Sequence, residues 1–232
     1  MADGVFGSKM KDYNKIYYSE IEKPKTKYPL ELVMYLINRF SLKAPMEVLD
    51  VGCGRGDFLE SFKELGFKVK GVDICENTVQ FLVNSGYDVS ICDLEMERLP
   101  YKDESFDVIF SKSFIEHLSE PHNFLNETYR VLKEKGRVII LTPDWYSQFK
   151  LFYSDFTHKR PYTKESLEKL LILHGFKNVV VEYFYQLPIV WKYPFIKFFS
   201  SIIRWLWPKH IRSKNKFIRF SVELMLLGSG VK

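Results

Sequence analysis

Cysteine is scarce in this chain: Cys53, Cys75 and Cys92 are three in 232 residues, an odd number with no C-x-x-C pair. That argues against a disulfide framework or a cysteine-built zinc site and points to a reducing compartment. No stretch reaches the ~20 consecutive apolar residues of a membrane span, and residues 1–11 hold no apolar run of signal-peptide length, so a cytoplasmic protein is expected. Internal repeats and low-complexity blocks are missing, as is the G-x-x-x-x-G-K-[ST] loop that cradles nucleotide phosphates. Acid is missing from one place in particular. Residues 188–232 carry nine Lys/Arg against Glu223 alone, a local charge of +8 inside a chain of net +5, which leaves the rest at −3. The C-terminal segment is the part suited to an anionic partner.

What is present is an α/β pattern. A 46% hydrophobic content in 232 residues supports one sizeable core. The stretch V-L-D-V-G-C-G-R-G-D over residues 48–57 reads as a buried strand from 46 to 51, a turn with Gly52, Gly54 and Gly56 at alternate positions, and a helix over 58–64 closed by Gly66. Glycine there permits positive φ and lets backbone N–H groups approach a ligand. A dinucleotide fingerprint needs its third glycine three positions after the second, whereas Gly56 follows Gly54 by two, so the spacing points away from NAD. Strands over 68–72, 88–92, 106–111 and 138–142 alternate with helices over 77–83 and 123–135, the rhythm of βαβ units. Thr163 reads as the N-cap of a helix ending at His174 with Gly175 beyond it, residues 178–185 as strand six, and 217–227 as a further alternating run. Before the core lie a Tyr-rich arm (Tyr13, Tyr17, Tyr18) and a helix from about 30 to 40.

At the glycine loop the chain resembles the class I S-adenosylmethionine (SAM) methyltransferases. Four further stretches carry the likeness in order: Val72-Asp73 ending strand two, Ile91-Cys92-Asp93-Leu94 ending strand three, L-P-Y and S-F-D-V-I over 99–109, and R-V-L-K-E-K-G-R over 130–137. The last has Glu134-Lys135 where the family usually has proline and glycine. The resemblance covers residues 46–145 and implies a doubly wound, mostly parallel seven-stranded sheet with strand seven antiparallel at its edge. It divides the chain into an arm and helix (1–45), a SAM-binding core (46–187), a helical insertion between strands six and seven (188–216) and a final edge strand (217–232). It also implies a cofactor set. Asp50 would reach the methionine amino group, Gly52, Gly54 and Gly56 its carboxylate and sugar, Asp73 the ribose hydroxyls, and Asp93 with Leu94 the adenine; Ile74 and Ser111 complete the set. Asp73 has a second reading from the residues alone, as the cap of the following helix.

For catalysis the candidates are His117, in Glu116-His117 after strand four, and His158, in D-F-T-H over 155–158. The first pair resembles the E-H of the ubiquinone-type O-methyltransferase branch, where a Glu three residues earlier helps hold a divalent metal; Ser113 stands there, and no metal is expected. The Asn-Pro-Pro-Tyr motif that resembling amino-group methyltransferases carry at this loop is absent, which disfavours nucleobase and glutamine N-methylation. The expected activity is O-methylation of a small or lipid-linked acceptor, a sugar or glycan precursor or a quinol. Two other readings stay open: an RNA methyltransferase using the basic segment, and a SAM-fold adaptor for a partner protein. In the insertion, Lys197, Ser200, Ser201 and Arg204 form one narrow stripe at helical spacing, leaving a wide apolar face between Pro194 and Pro208. That face fits an acceptor lid at an anionic membrane surface, with the protein peripheral to the inner membrane, or else packing on its own domain or in a homodimer.

Overall fold

The computed structural model describes residues 24–208 and 211–232; the Tyr-rich arm lies outside the described residues. The chain builds one seven-stranded sheet in the order β3-β2-β1-β4-β5-β7-β6. Helix α1 (Tyr28–Phe40) leads to β1 (Glu47–Val51), then α2 (Asp57–Glu64), β2 (Lys68–Asp73), α3 (Glu76–Asn84) and β3 (Val89–Ile91). After them come β4 (Phe106–Lys112), α4 (His122–Val131) and β5 (Leu132–Pro143). Strands β1 to β5 are parallel, so the loops following them gather on one edge of the sheet, the edge where open α/β sheets bind ligands. Val48, Leu49 and Val51 of β1 are all but inaccessible because both faces of this central strand are covered. The Leu49 face packs with Ile109, Phe124 and Leu167, the Val48 face with Leu36, Phe62 and Phe110.

Part of the resemblance proves to be structural cement. Arg130 donates to the carbonyls of Leu99 and Tyr101 and pairs with Glu127 and Asp103, which fastens the L-P-Y loop to α4. Asp107 accepts from the Glu47 N–H and from Lys133 Nζ, joining β4 to the start of β1. Beyond β5 follow the short α5 (Trp145–Gln148), α6 (Lys164–Leu173) with its Thr163/Ser166 capping box, and β6 (Lys177–Phe184).

Three expectations are corrected. The helix of the R-V-L-K motif ends at Val131, not at 135, because the backbone turns extended at Leu132, where β5 begins. The alternating run at 217–227 is not one strand. Asn215 caps a helix by accepting from the N–H groups of Phe217 and Ile218, giving α9 (Lys216–Val222), and β7 is Met225–Val231. Nor is β7 an edge. It lies between β5 and β6, antiparallel to both, which leaves β6 at the rim, and both of its faces are buried, as befits an apolar run without alternation. The insertion holds the helix expected between Pro194 and Pro208, α8 (Ile196–Leu206), with α7 (Pro188–Lys192) before it and α9 after it. Among the described residues no helix is long and apolar enough to cross a membrane.

Candidate active site

Strand β1 delivers the glycine loop to the ligand edge, and its three glycines all hold positive φ: +72° at Gly52, +50° at Gly54 and +83° at Gly56. A Cβ on Gly52 would stand 2.6 Å from the Phe114 ring, and one on Gly56 2.6 Å from Leu82 Cδ2. The turn is tied back to β2 through the Gly52 and Cys53 N–H groups, which donate to the Val72 carbonyl at 2.9 and 3.1 Å. Asp73, at the end of β2, completes the cradle. One of its oxygens accepts from the Gly54 N–H at 2.8 Å and the other from the Cys75 N–H at 2.9 Å, so the carboxylate ties the glycine loop to the residue that opens α3, while no side chain caps that helix itself. Ile74 beside it is 45% exposed, an apolar surface at the rim. Asp93 turns its carboxylate to the Glu95 N–H, and Leu94 is buried beneath it with its carbonyl accepting from Asn123.

Asp50 is the most telling member of the set. It is buried on β1, its Oδ2 has no partner, and burial, with the charges of Asp73 and Asp57, pushes its carboxyl up to about 8. An unmatched acid beside a glycine cradle suits a cationic ligand, whose charge would restore the ionised form. One expected ligand does not fit. Ser111 is fully buried and its hydroxyl donates to the Val51 carbonyl at 3.1 Å, so its side chain braces β1 against β4 instead of facing the loop.

The two candidate histidines, forty-one positions apart in sequence, come together. Their rings meet edge to face with centroids 4.9 Å apart. The 155–160 loop is docked by the N–H groups of Lys159 and Arg160 on the Glu116 carbonyl. His117 Nδ1 lies 3.2 Å from the Thr157 carbonyl and 2.9 Å from its hydroxyl, which donates to Asp155 at 2.6 Å. His158 Nδ1 lies 2.7 Å from the Phe152 carbonyl. A carbonyl only accepts, so Nδ1 carries a proton in both rings, and in the His117 ring, which burial keeps neutral, Nε2 keeps the lone pair. Beneath them Glu116 is fully buried, accepts from Thr142 with one oxygen, has no partner for the other, and is pushed by burial up to about 7. Where the sequence offered two metal-ligand types at this loop, the fold adds a third: ligand atoms of Glu116, His117 and His158 all lie within 4.8 Å of one another.

Sequence reasoning passed over Asp155 and Thr157 as the supports of His117, although the D-x-T spacing of an Asx turn was visible. It also missed Asp144, which is buried and caps α5 by accepting from the Ser147 N–H, with Oδ1 unpartnered; the T-P-D-W turn is its only trace.

Burial, with the charge of His158 adding to it, holds His117 down at about 4. A histidine held below its unfolded value near ~6.5 favours folding above that value, and the contribution is lost as pH falls through 4. Between pH 6.5 and 4 we expect wild type to lose about 3 kcal/mol that a His117→Asn variant does not lose. Urea unfolding of both proteins across that range checks this, and a constant gap between them would show His117 to be no buried neutral base.

Comparison with known proteins agrees with this geometry. Residues 49–140 match a methyltransferase domain family. A ubiquinone biosynthesis O-methyltransferase of Bartonella bacilliformis is 31% identical over 103 residues, 43% of this chain and 42% of that one. Phosphoethanolamine N-methyltransferase 3 of Arabidopsis thaliana is 30% identical over 166 residues, 66% of this chain and 33% of that one. The chain thus spans less than half the length of these two curated relatives. A crystal structure of a SAM-dependent methyltransferase from Archaeoglobus fulgidus superposes with a TM-score of 0.65 at 27% identity, covering 95% of this chain and all of that one. Sheet order, glycine cradle and relatives together support a class I SAM-dependent methyltransferase with SAM as its cofactor.

Proposed function

We propose that this protein transfers a methyl group from SAM to a hydroxyl oxygen of a lipid-linked or small acceptor of the sugar or quinol type. Bound SAM supplies an electrophilic methyl carbon on a sulfonium, which departs as a neutral thioether. The chain's own residues do the rest. The cradle of Gly52, Gly54, Gly56 and Asp73 fixes the cofactor's position, and alignment is the larger part of such a displacement. The observation that carries the choice of oxygen is the imidazole pair. An acceptor hydroxyl must lose its proton as the new C–O bond forms, and the neutral His117 ring, with Nδ1 committed to the Thr157 carbonyl and His158 against its face, leaves Nε2 to take it.

The test is transfer from methyl-labelled SAM into extracted lipid, glycan and RNA pools. Label in a solvent-extractable or glycan fraction, with carbon-13 NMR placing the methyl on oxygen, is the expected result. Label that RNase releases, or a methyl on nitrogen, overturns the reading. An adaptor would bind SAM and label none of the pools.

A further inference from the structure

Helix α8 is mounted the wrong way round for a helix that packs on its own domain. A surface helix normally turns its apolar stripe to the core. Here Ser200 of the polar stripe is fully buried, while Phe195, Phe198, Phe199, Trp205 and Leu206 stand 54–84% exposed. The inward contacts explain the choice. Ile196 enters a small cluster with Tyr185, Leu187, Val190 and Leu224. The Ser201 hydroxyl donates to the Lys197 carbonyl and lies 3.4 Å from Tyr185 Oη, and Arg204 sits 5.6 Å over the Tyr185 ring. Small and polar residues thus do the packing, and one continuous apolar arc, ended by Trp205, is left facing out.

The surroundings of that arc are basic. Lys192, Lys197, Lys214 and Lys216 are exposed around it. The segment's one acid, Glu223, is buried and already paired with Arg212 and Arg219. A self-complementary contact with a second copy would set this patch against itself, bringing lysine against lysine with the segment's one acid already paired. An anionic lipid surface answers it directly, and Trp and Phe beside lysines are what an interfacial helix presents to one.

We propose that the outward face of α8, with its lysine flank, docks this protein on an anionic lipid bilayer. The insertion springs from Phe184 and returns at Met225, two residues that pair with each other, and Met225 pairs with Pro143 at the carboxyl end of β5. It therefore leaves the sheet on the edge that carries the glycine loop, with β7 three strands from β1, on the order of 15 Å away. Docking through α8 brings the methyl-donor edge to the headgroup layer; that the bilayer also delivers the acceptor rests on the function proposed above.

Co-sedimentation of the full chain with vesicles tests docking without reference to turnover. We expect binding to vesicles of 3:1 phosphatidylcholine and phosphatidylglycerol, weaker binding to phosphatidylcholine alone, and a loss of at least tenfold in a Phe198→Glu/Trp205→Glu variant whose SAM affinity is unchanged. Binding should also weaken as salt rises. Absence of pelleting, or pelleting indifferent to the double substitution, overturns the proposal. So does a dimer in sedimentation velocity that the substitutions dissolve while vesicles are ignored, since the occupant is then a second copy. Vesicle binding with no label in lipid pools leaves docking standing and sinks the lipid-linked acceptor alone.

Discussion

An Asp73→Ala variant should bind SAM ~10²-fold or more weakly than wild type, while keeping the cooperative melt of a folded sheet. Two losses combine. The carboxylate holds the glycine turn through the Gly54 N–H and the entry to α3 through the Cys75 N–H, at 2.8 and 2.9 Å. Its remaining lone pairs are the ones that the resemblance to the SAM methyltransferases assigns to the ribose hydroxyls. Hydrogen bonds to a charged group contribute ~1.5–3 kcal/mol each, and every 1.4 kcal/mol is about tenfold in affinity, so two such bonds give that figure. Asp73→Asn should not restore binding, because an amide offers one acceptor oxygen where two N–H groups and a ribose need more. Gly52→Val reaches the same endpoint by another route, a positive φ that a β-branched residue resists and a Cβ 2.6 Å from the Phe114 ring. Calorimetry on all three proteins decides; wild-type affinity in both Asp73→Ala and Gly52→Val would remove the cofactor assignment from this loop.

The cradle was legible because its signal is local. A strand, three glycines and a carboxylate at the end of the next strand are fixed by neighbours in sequence, and the parallel order follows from connection rules. The rest depends on what the chain packs against. Residues 217–222 alternate like a strand, yet Asn215 offers a helix start and Phe217 and Phe220 reach the cluster around Leu224; alternation alone does not choose between them. A glutamate ordinarily reads as exposed, so the burial of Glu116 was invisible, and nothing local in the sequence brings His158 to the Glu116-His117 pair. Ser111 looks like a rim residue until the β1–β4 register sets its hydroxyl against Val51. The stripe on α8 was readable, but a stripe has no sign. Only the packed structure says that the polar side turned inward.

Replacing His117 or His158 by alanine should lower kcat ~10²–10⁴-fold, the usual worth of positioned general-base help, with SAM affinity unchanged, because neither ring belongs to the glycine cradle. The two should behave as a unit. Each ring has its Nδ1 proton fixed by a carbonyl, the rings touch edge to face at 4.9 Å, and the loop bearing His158 is tied to Glu116 next to His117. Removing both should therefore cost little more than removing the more important one, as for groups that act together. The pH profile separates a base from a brace. With His117 held down at about 4 it is neutral throughout the working range, so its own titration puts no acid limb near ~6.5 in the wild-type profile. A limb near 7 belongs instead to Glu116, pushed up to about 7; ionisation there sets a negative charge under the rings and favours the imidazolium that forms as the acceptor hydroxyl loses its proton, so turnover should rise through that pH. Glu116→Gln should flatten the limb while leaving both histidines in place. A His117→Ala and a His158→Ala variant that each keep wild-type kcat and an unaltered profile would return both rings to a purely structural role and take the choice of an oxygen acceptor with them.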